Sequence, residues 1–266
     1  MTIRISELNI YPIKSAGQIA LQSAKLTRFG FEGDRRWMVV DELGKFITQR
    51  ENAAISLIRI KLSETQMELA APSMPGLTVN SIPEKRQSMS VKIWLDQCDA
   101  NDMGDEVAHW LSEYLSTTCR LVHMPETTRR PTDPGFSSEG DTVSFADGFP
   151  LLLISEASLS ELSDRIGREV EMNRFRPNIV VSGCDAFAED LWGVVQIGGV
   201  EYTVAKPCAR CSMPTIDQET GKVDRDVMTT LASFRRKPDG QIYLGQNLIS
   251  RGDGVVNIGD ELQVLS

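Results

Sequence analysis

Apolar and polar residues alternate over short stretches along most of the chain, and this period-two pattern predicts β-strands. The first stretch begins at Ile3 and ends at Tyr11-Pro12, where the proline closes the strand. Short strands separated by turn residues favour a small sheet or barrel. Further strands are predicted over residues 37–40, 46–48, 56–62, 66–70, 89–94, 178–182, 194–197 and 200–205, and more follow after residue 248.

Three stretches instead repeat their apolar residues every three or four positions, which predicts amphipathic helices. These are residues 102–116, residues 156–170 with Ser155 as the N-cap, and residues 226–234. The helices do not alternate regularly with strands, so the pattern indicates a strand-rich α+β protein rather than a repeated βαβ fold.

Residues 123–150 contain four prolines, three glycines and few aliphatic residues. A segment of this length without a periodic pattern predicts a functional or mobile loop. We expect it to cover the entrance of a site and to be cut by trypsin at Arg129 or Arg130.

The composition is that of an ordinary globular protein, with 266 residues, 41% hydrophobic and 24% charged. This length predicts one or two domains. The longest aliphatic run, residues 151–154, is far shorter than the ~20 residues of a membrane helix. A net charge of −9 argues against a nucleic-acid partner, which needs a basic surface. With no apolar signal sequence at the N-terminus, we expect a cytoplasmic protein that binds neither nucleic acid nor membrane.

Two cysteines three positions apart, Cys208 and Cys211, are the sharpest chemical feature of the chain. They follow the strand predicted at residues 200–205, so we expect them on a loop. Half of a zinc site is one interpretation, although no second pair of ligands is evident. A redox-active dithiol is another, and a single thiolate ligand or nucleophile beside the cationic Lys206 and Arg210 is a third. Two buried thiols without chemistry remain a fourth.

Basic residues stand at the ends of predicted strands in an otherwise acidic chain. Arg174 and Arg176 come directly before the strand at residues 178–182, Lys14 follows the first strand, and Arg35 precedes the second. An arginine can bond two oxygens of a carboxylate or phosphate at once, although each could equally form a surface salt bridge. Together these positions favour a site for an anionic, phosphorylated cofactor.

Six strings of residues occur in an order and spacing that resemble the MOSC family, named for the molybdenum cofactor sulfurase C-terminal domain. Within that family the chain resembles the bacterial YcbX-type proteins and the mitochondrial amidoxime-reducing component, over nearly its whole length. The resemblance implies an N-terminal β-barrel domain over residues 1–122 and a MOSC β-barrel domain with a few helices over residues 123–266. The strings are Tyr11-Pro12-Ile13-Lys14-Ser15, Gly33-Asp34-Arg35-Arg36-Trp37, Arg174-Phe175-Arg176-Pro177-Asn178, Ala188-Glu189-Asp190-Leu191-Trp192, Lys206-Pro207-Cys208-Ala209-Arg210-Cys211, and Asp217 to Gly221.

The resemblance implies a molybdenum cofactor (molybdopterin), a pyranopterin dithiolene that holds molybdenum and ends in a phosphate. Cys211 would be the catalytic residue that gives a thiolate to the metal, and thiolate ligands suit such a soft, sulfur-bound centre. At Asn247 the amidoxime-reducing enzymes carry an aromatic residue, so the chain departs from them there. The implied cofactor-binding residues are Lys14, Ser15, Arg35, Arg176, Asn178, Arg210 and Asn247.

The resemblance also implies an oxidoreductase that reduces small N-hydroxylated compounds such as amidoximes and hydroxylamines. Electrons would come from a separate protein, a ferredoxin or flavin reductase, because the chain has no Gly-x-Gly-x-x-Gly fingerprint and no cluster-type cysteine run. One alternative is a cofactor carrier or sulfur-handling module without turnover. Another is a pyridoxal-phosphate enzyme that uses Lys14 or Lys206. The mitochondrial relatives have a membrane anchor before their first strand, and we expect this chain to lack one.

Overall fold

The computed structural model describes residues 2–84 and 87–266. Within these residues the chain forms eighteen β-strands, three α-helices and four short 3-10 helices, which confirms the strand-rich α+β class. The helices α1 to α3 are Asp105–Leu115, Glu156–Ile166 and Asp226–Arg235. The 3-10 helices are Ala53–Leu57, Met172–Arg174, Ala188–Leu191 and Met213–Thr215. The strands β1 to β18 are Arg4–Ile10, Ile19–Leu21, Ser23–Thr27, Gly30–Phe31, Trp37–Val40, Arg59–Leu62, Gln66–Ala70, Leu77–Asn80, Ser88–Ile93, Asp96–Asp102, Arg120–His123, Leu151–Ser155, Ile179–Ser182, Val194–Ile197, Val200–Ala209, Tyr243–Ser250, Val255–Asn257 and Leu262–Val264.

The largest sheet combines strands from both ends of the chain, in the order β18-β14-β15-β16-β12-β13-β1-β2. Strands β12 and β13 are parallel, and β1 pairs antiparallel with β13. Leu8 of β1 therefore shares one hydrophobic core with Leu153 of β12 and Val256 of β17. Three smaller sheets, β5-β11-β10-β9, β6-β7-β8 and β17-β3-β4, complete the fold. Because β1 and β2 belong to the sheet of the C-terminal half, the division between residues 122 and 123 stays a prediction.

The three helices lie close to their predicted positions and bury their apolar faces. Leu162 of α2 and Leu231 of α3 belong to one core cluster with Ile154 of β12. Helix α2 ends at Ile166, before the predicted end at residue 170, because Gly167 adopts a left-handed φ of 80° and its N–H caps the last carbonyls.

Two predicted strands differ in the structure. Residues 46–48 form no strand, and Phe46 makes a single bridge to Val40. Residues 56–62 are divided between the 3-10 helix Ala53–Leu57 and strand β6. The side chain of Asn52 accepts the Ala54 N–H and so starts the 3-10 turn, a local capping contact that competes with an extended backbone.

The segment over residues 123–150 is irregular, but part of it packs inside the protein. Val143 and Phe145 are fully buried. The Arg130 side chain is 2% exposed and donates hydrogen bonds to three carbonyl oxygens of the same segment. The expectation of tryptic cleavage at Arg130 is therefore wrong for the folded protein, because a buried side chain cannot enter a protease. Arg129 is exposed.

Candidate functional site

One cleft gathers the eight predicted site residues, whereas Lys206 does not line it. The cleft is formed by the end of β1, the residues before β13, the end of β15 and the segment before β12. It has a volume of about 820 Å³, including its mouth. The role of these residues as cofactor ligands stays a prediction, whereas their position in one cleft is an observation of the structure. All eight predicted site residues line it: Lys14, Ser15, Arg35, Arg176, Asn178, Arg210, Cys211 and Asn247.

Three of these residues have a left-handed backbone, with φ of 71° at Ser15, 47° at Arg35 and 57° at Arg176. Such a conformation is uncommon for residues other than glycine and costs about 1–3 kcal/mol at each position. Backbone hydrogen bonds hold it, from the Arg35 N–H to the Tyr11 carbonyl (2.9 Å) and from the Arg176 N–H to the Asn173 carbonyl (3.2 Å). Strain concentrated at one place in this way is typical of functional sites.

The ring of Tyr11 supports two of the arginines. The guanidinium carbons of Arg35 and Arg176 lie 4.3 and 4.1 Å from its centroid. Burial raises the pKa of Tyr11 despite both cations, so the phenol stays neutral and donates to the Pro177 carbonyl at 3.1 Å. Burial, followed by repulsion from Arg35, lowers the pKa of Arg176 to about 10, so its guanidinium is charged at neutral pH.

Arg35 and Asn178 direct most of their hydrogen bonds into the protein. Arg35 Nη1 donates to both carboxylate oxygens of Asp34, at 2.8 and 2.7 Å, and to Asn178 Oδ1 at 3.0 Å. Asn178 Nδ2 in turn donates to the Asn9 carbonyl at 3.1 Å, and its Oδ1 accepts the Leu152 N–H. These contacts fix the ends of β1, β12 and β13 around the cleft and compensate the charge of Arg35.

Other polar groups of the cleft remain without a partner. Among residues 2–84 and 87–266, no hydrogen-bond partner is present for four buried donors: Ser15 Oγ, Arg174 Nη1, Arg176 Nη2 and Arg210 Nε. A buried unsatisfied donor costs roughly 1–3 kcal/mol. Four such donors around one cleft fit a ligand with many acceptor oxygens, such as a phosphorylated pterin, and so the residues present are compatible with the implied cofactor.

Lys14 also lines the cleft, and it is bound there by a residue that the sequence did not indicate. Its Nζ donates to the Phe145 carbonyl at 2.8 Å and to Asp147 Oδ1 at 2.5 Å. Burial lowers the pKa of Lys14, and Asp147 works against this shift. Asp147 also lines the cleft, but it lies in an irregular segment where no local pattern marks a single acidic residue.

The two cysteines lie on different kinds of backbone. Strand β15 continues through Ala209, beyond its predicted end at residue 205, so the expectation of a loop is wrong for Cys208. The pairing with β16 shifts between Pro207 and Ala209, which leaves Cys208 at a bulge, a feature that often re-aims a side chain beside a site. Cys211 follows the strand and is exposed.

The thiols also differ in their contacts. Cys208 Sγ accepts from Arg210 Nη1 at 3.0 Å. Cys211 Sγ accepts from the Met213 N–H at 3.4 Å and from Arg50 Nη1 at 3.7 Å. In the described ranges, 2–84 and 87–266, no three His, Cys, Asp or Glu side chains are grouped so that they could hold a metal ion.

Comparison with known proteins assigns the family. Family profiles match the MOSC N-terminal beta barrel domain over residues 2–118 and the MOSC domain over residues 140–263. The chain is 33% identical over 279 residues to mitochondrial amidoxime-reducing component 1 of Mus musculus, covering 98% of this chain and 82% of that protein. The chain belongs to the MOSC family. It is also 37% identical over 243 residues to mitochondrial amidoxime reducing component 2 of Rattus norvegicus, covering 87% of this chain and 72% of the relative.

A solved structure, the YUAD protein from Bacillus subtilis, aligns with 98% of this chain and 94% of its own length. The TM-score is 0.42 at 13% identity, a likeness too weak to carry functional information. In the described part of this MOSC protein, no helix is long and apolar enough to cross a membrane.

The cleft of this MOSC protein lies where its two matched domains meet. Lys14, Ser15 and Arg35 come from the N-terminal match, and the other five predicted site residues come from the MOSC match. The N-terminal part also contributes Arg50, which the sequence reasoning missed. No motif marks this arginine, and only the packing of two distant segments brings it to Cys211.

Proposed function

We propose that this MOSC protein is a molybdenum-cofactor-dependent oxidoreductase that reduces N-hydroxylated compounds of the amidoxime and hydroxylamine type. The observation that carries the proposal is the presence, in one cleft, of the exposed Cys211 thiol and four buried donors without partners. The names of the relatives, amidoxime-reducing components, support the same class of reaction. When bound, the cofactor supplies a two-electron redox centre that can accept an oxygen atom.

The residues of the cleft have complementary tasks in this proposal. The free N–H groups of Arg174, Arg176 and Arg210 and the Ser15 hydroxyl hydrogen-bond phosphate and pterin oxygens. Each charge-assisted contact of this kind contributes about 1.5–3 kcal/mol. The Lys14 ammonium adds positive charge to the cleft, although Asp147 compensates part of it.

Cys211 is the thiol that we assign to the metal. It is exposed in the cleft, whereas Cys208 is half-buried and its sulfur accepts the shorter hydrogen bond, 3.0 Å from Arg210 Nη1. A thiolate is a good ligand for a soft, sulfur-bound metal centre. Arg50 donates to the Cys211 sulfur at 3.7 Å and places a positive charge beside it.

The reaction needs a supply of electrons. Reduction of an N–OH group to N–H releases the oxygen as water and consumes two electrons and two protons. We assign the electron supply to a separate ferredoxin or flavin reductase, because the chain has no dinucleotide fingerprint and no cluster-type cysteine run. Redox partners of this kind usually bury less than about 1,200 Å² of surface in total.

Metal analysis and turnover of three cysteine variants test the proposal. Purified wild-type protein should contain molybdenum and reduce benzamidoxime to benzamidine with reduced viologen as the donor. Cys211→Ala should abolish turnover while the far-UV circular dichroism stays unchanged. Cys208→Ala should remain active, and Cys184→Ala, which alters a half-buried thiol that does not line the cleft, is the matched control.

The outcomes separate the possible functions. An inactive Cys208→Ala protein together with an active Cys211→Ala protein would refute the assignment of the thiol. Molybdenum without turnover of any N-hydroxylated compound would instead indicate a carrier or sulfur-handling module. Visible absorbance of pyridoxal phosphate bound to a lysine would refute the molybdenum proposal.

A further inference from the structure

Trp94 lies beside the cleft, in contact with two residues that line it, Arg50 and Asp147. It forms, with Leu95, the two-residue turn between β9 and β10. Its φ of 52° lies in the left-handed region, which glycine favours in such turns and bulky residues rarely adopt. Nevertheless 46% of Trp94 is exposed, so burial of the ring does not account for a large aromatic residue here. A strained backbone that presents an open aromatic ring indicates a binding role.

Three contacts hold the Trp94 ring in place. The indole N–H donates to Asp147 Oδ1 at 3.1 Å, the same oxygen that accepts from Lys14. Phe46 packs against the indole with the ring centroids 5.3 Å apart and the planes tilted by 55°. The guanidinium carbon of Arg50 lies 4.6 Å from the indole centroid. The ring is therefore preorganised while almost half of its surface stays open to solvent.

Arg50 connects this ring to the thiol of the candidate site. Its guanidinium group contacts the Trp94 ring on one side, and its Nη1 lies 3.7 Å from Cys211 Sγ. One guanidinium group therefore separates an open aromatic surface from the sulfur that we assign to the metal. A molecule with a flat ring two or three bonds from an N–O group matches this order, with its ring at Trp94 and its N–O group directed past Arg50.

We propose that Trp94 is the specificity-determining residue of this cleft and selects N-hydroxylated substrates that carry a flat aromatic group. The inference deepens the proposed function and rests on it. The aryl ring of the substrate packs against the open part of the Trp94 indole, and the N–O group reaches past Arg50 toward Cys211. Aromatic pairs gain stabilisation beyond the area that they bury. A purely aliphatic amidoxime lacks this contact and binds more weakly.

A comparison of two substrates in the holoenzyme tests the inference. Benzamidoxime and acetamidoxime are reduced with viologen as the donor by the wild type, Trp94→Gly and Trp94→Phe. Glycine tolerates the left-handed backbone at this turn, so the Trp94→Gly protein should fold. We expect it to raise the KM of benzamidoxime about tenfold more than that of acetamidoxime. Trp94→Phe keeps a flat ring and should restore most of the preference. The matched control is Leu95→Ala, which alters the 97% exposed neighbour on the same turn.

Calorimetric titration with the product benzamidine gives a readout that does not need turnover. The dissociation constant should rise about tenfold in Trp94→Gly and stay unchanged in Leu95→Ala. Equal changes for both substrates, or unchanged benzamidine binding in Trp94→Gly, would overturn the inference. If molybdenum-loaded wild type reduces neither substrate, the proposed function fails, and the benzamidine titration alone then decides whether Trp94 binds an aromatic ligand.

Discussion

Lys14 and Asp147, which both line the cleft, form an ion pair with Nζ 2.5 Å from Oδ1. The lysine is 6% exposed, whereas more than half of the Asp147 side chain is exposed. The pair joins the segment after β1 to the segment before β12, and Asp147 also accepts the Trp94 indole N–H. The Asp147 carboxylate thus orients both Lys14, a candidate cofactor ligand, and the Trp94 indole.

Asp147→Asn should destabilise the protein, because it leaves the buried Lys14 ammonium without its counter-charge. We expect a loss of about 1–3 kcal/mol in the free energy of unfolding, less than for a fully buried pair because Asp147 is partly solvated. Urea unfolding measures this value. The control is Asp133→Asn, which breaks the surface pair with Lys206 and should cost less than about 1 kcal/mol. Equal losses in the two variants would contradict the importance of the buried lysine.

The same pair predicts a dependence on pH in the acidic range. Although burial opposes its ionisation, Asp147 has a pKa well below its usual value because of the Lys14 charge and the hydrogen bonds from Lys14 and Trp94. The carboxylate is therefore stabilised by folding. Its contribution is fully present above the unfolded pKa of 3.8 and is lost as the pH falls from there through the folded pKa. Asp147→Asn should remove this part of the acid-induced loss of stability.

His123 should make the free energy of unfolding decrease as the pH falls from 6.5 to about 4. Burial, followed by the charge of Arg36, lowers its pKa from 6.5 to about 4, against a small opposing effect of Glu126. The unfolded chain therefore takes up a proton in this range that the folded protein does not. The free energy of unfolding should fall by up to about 3 kcal/mol as the pH decreases across this interval.

His123→Phe provides the check on that slope. Phenylalanine preserves a ring near Trp37, which lies 5.1 Å from the histidine ring, but it has no titratable group. The pH dependence of the thermal midpoint between 6.5 and 4 should become shallower in this variant. The matched control is His109→Phe, which alters an exposed histidine on α1. An unchanged slope in the His123 variant would refute the assignment.

Arg130 should protect the segment over residues 123–150 from proteolysis. Its guanidinium group binds three carbonyl oxygens of this segment and, at 2.8 Å, the Asp96 carboxylate. Trypsin should cut the native protein slowly, at the exposed Arg129. In Arg130→Met the loss of these contacts should accelerate cleavage of the segment at Arg129 severalfold, as followed by mass spectrometry. Equal rates of cleavage at Arg129 in the wild type and in Arg130→Met would contradict this protective role.

Arg176→Ala should release the cofactor, because this arginine combines a strained backbone with a buried unpaired N–H in the cleft. The loss of one charge-assisted contact of about 1.5–3 kcal/mol corresponds to roughly a 10- to 150-fold weaker affinity. Molybdenum content after gel filtration measures retention. The control is Arg168→Ala, which breaks a surface contact with Asp224 and should retain the metal. Full molybdenum content in Arg176→Ala would exclude this arginine from the site.

NADH or NADPH alone should not support reduction of an amidoxime by the pure protein. A chemical donor such as reduced viologen should support it, because it delivers electrons without a nucleotide site. Stopped assays of benzamidine formation distinguish the two cases. Direct turnover with NADH would mean that the chain has a nucleotide or flavin site that lacks the usual glycine fingerprint.

The elements of this fold could be predicted from the sequence where their signals are local. The three helices repeat their apolar residues over ten or eleven positions, and most strands alternate, so neighbouring residues alone determine these patterns. Some predictions were wrong because a local cap, Asn52 or Gly167, changes the element, and others because a distant partner decides the outcome. Strand β15 extends to Ala209 because β16 pairs with it there, and Arg130 is buried because its own segment folds back over it.

The residues of the candidate site also fall into two groups, those that the sequence indicated and those that only tertiary contacts revealed. The sequence by itself determined which basic residues stand at strand ends and, through the family strings, the two cysteines. Only the tertiary structure decided that these residues meet in one cleft, that Arg50 and Asp147 line it with them, and that Trp94 contacts both. These three residues make contacts between segments far apart in the chain, and local periodicity contains no information about such pairs. The long-range pairing of β1 with β13 is the physical reason that Lys14 and Ser15, after β1, line the same cleft as Arg176 and Asn178, before β13.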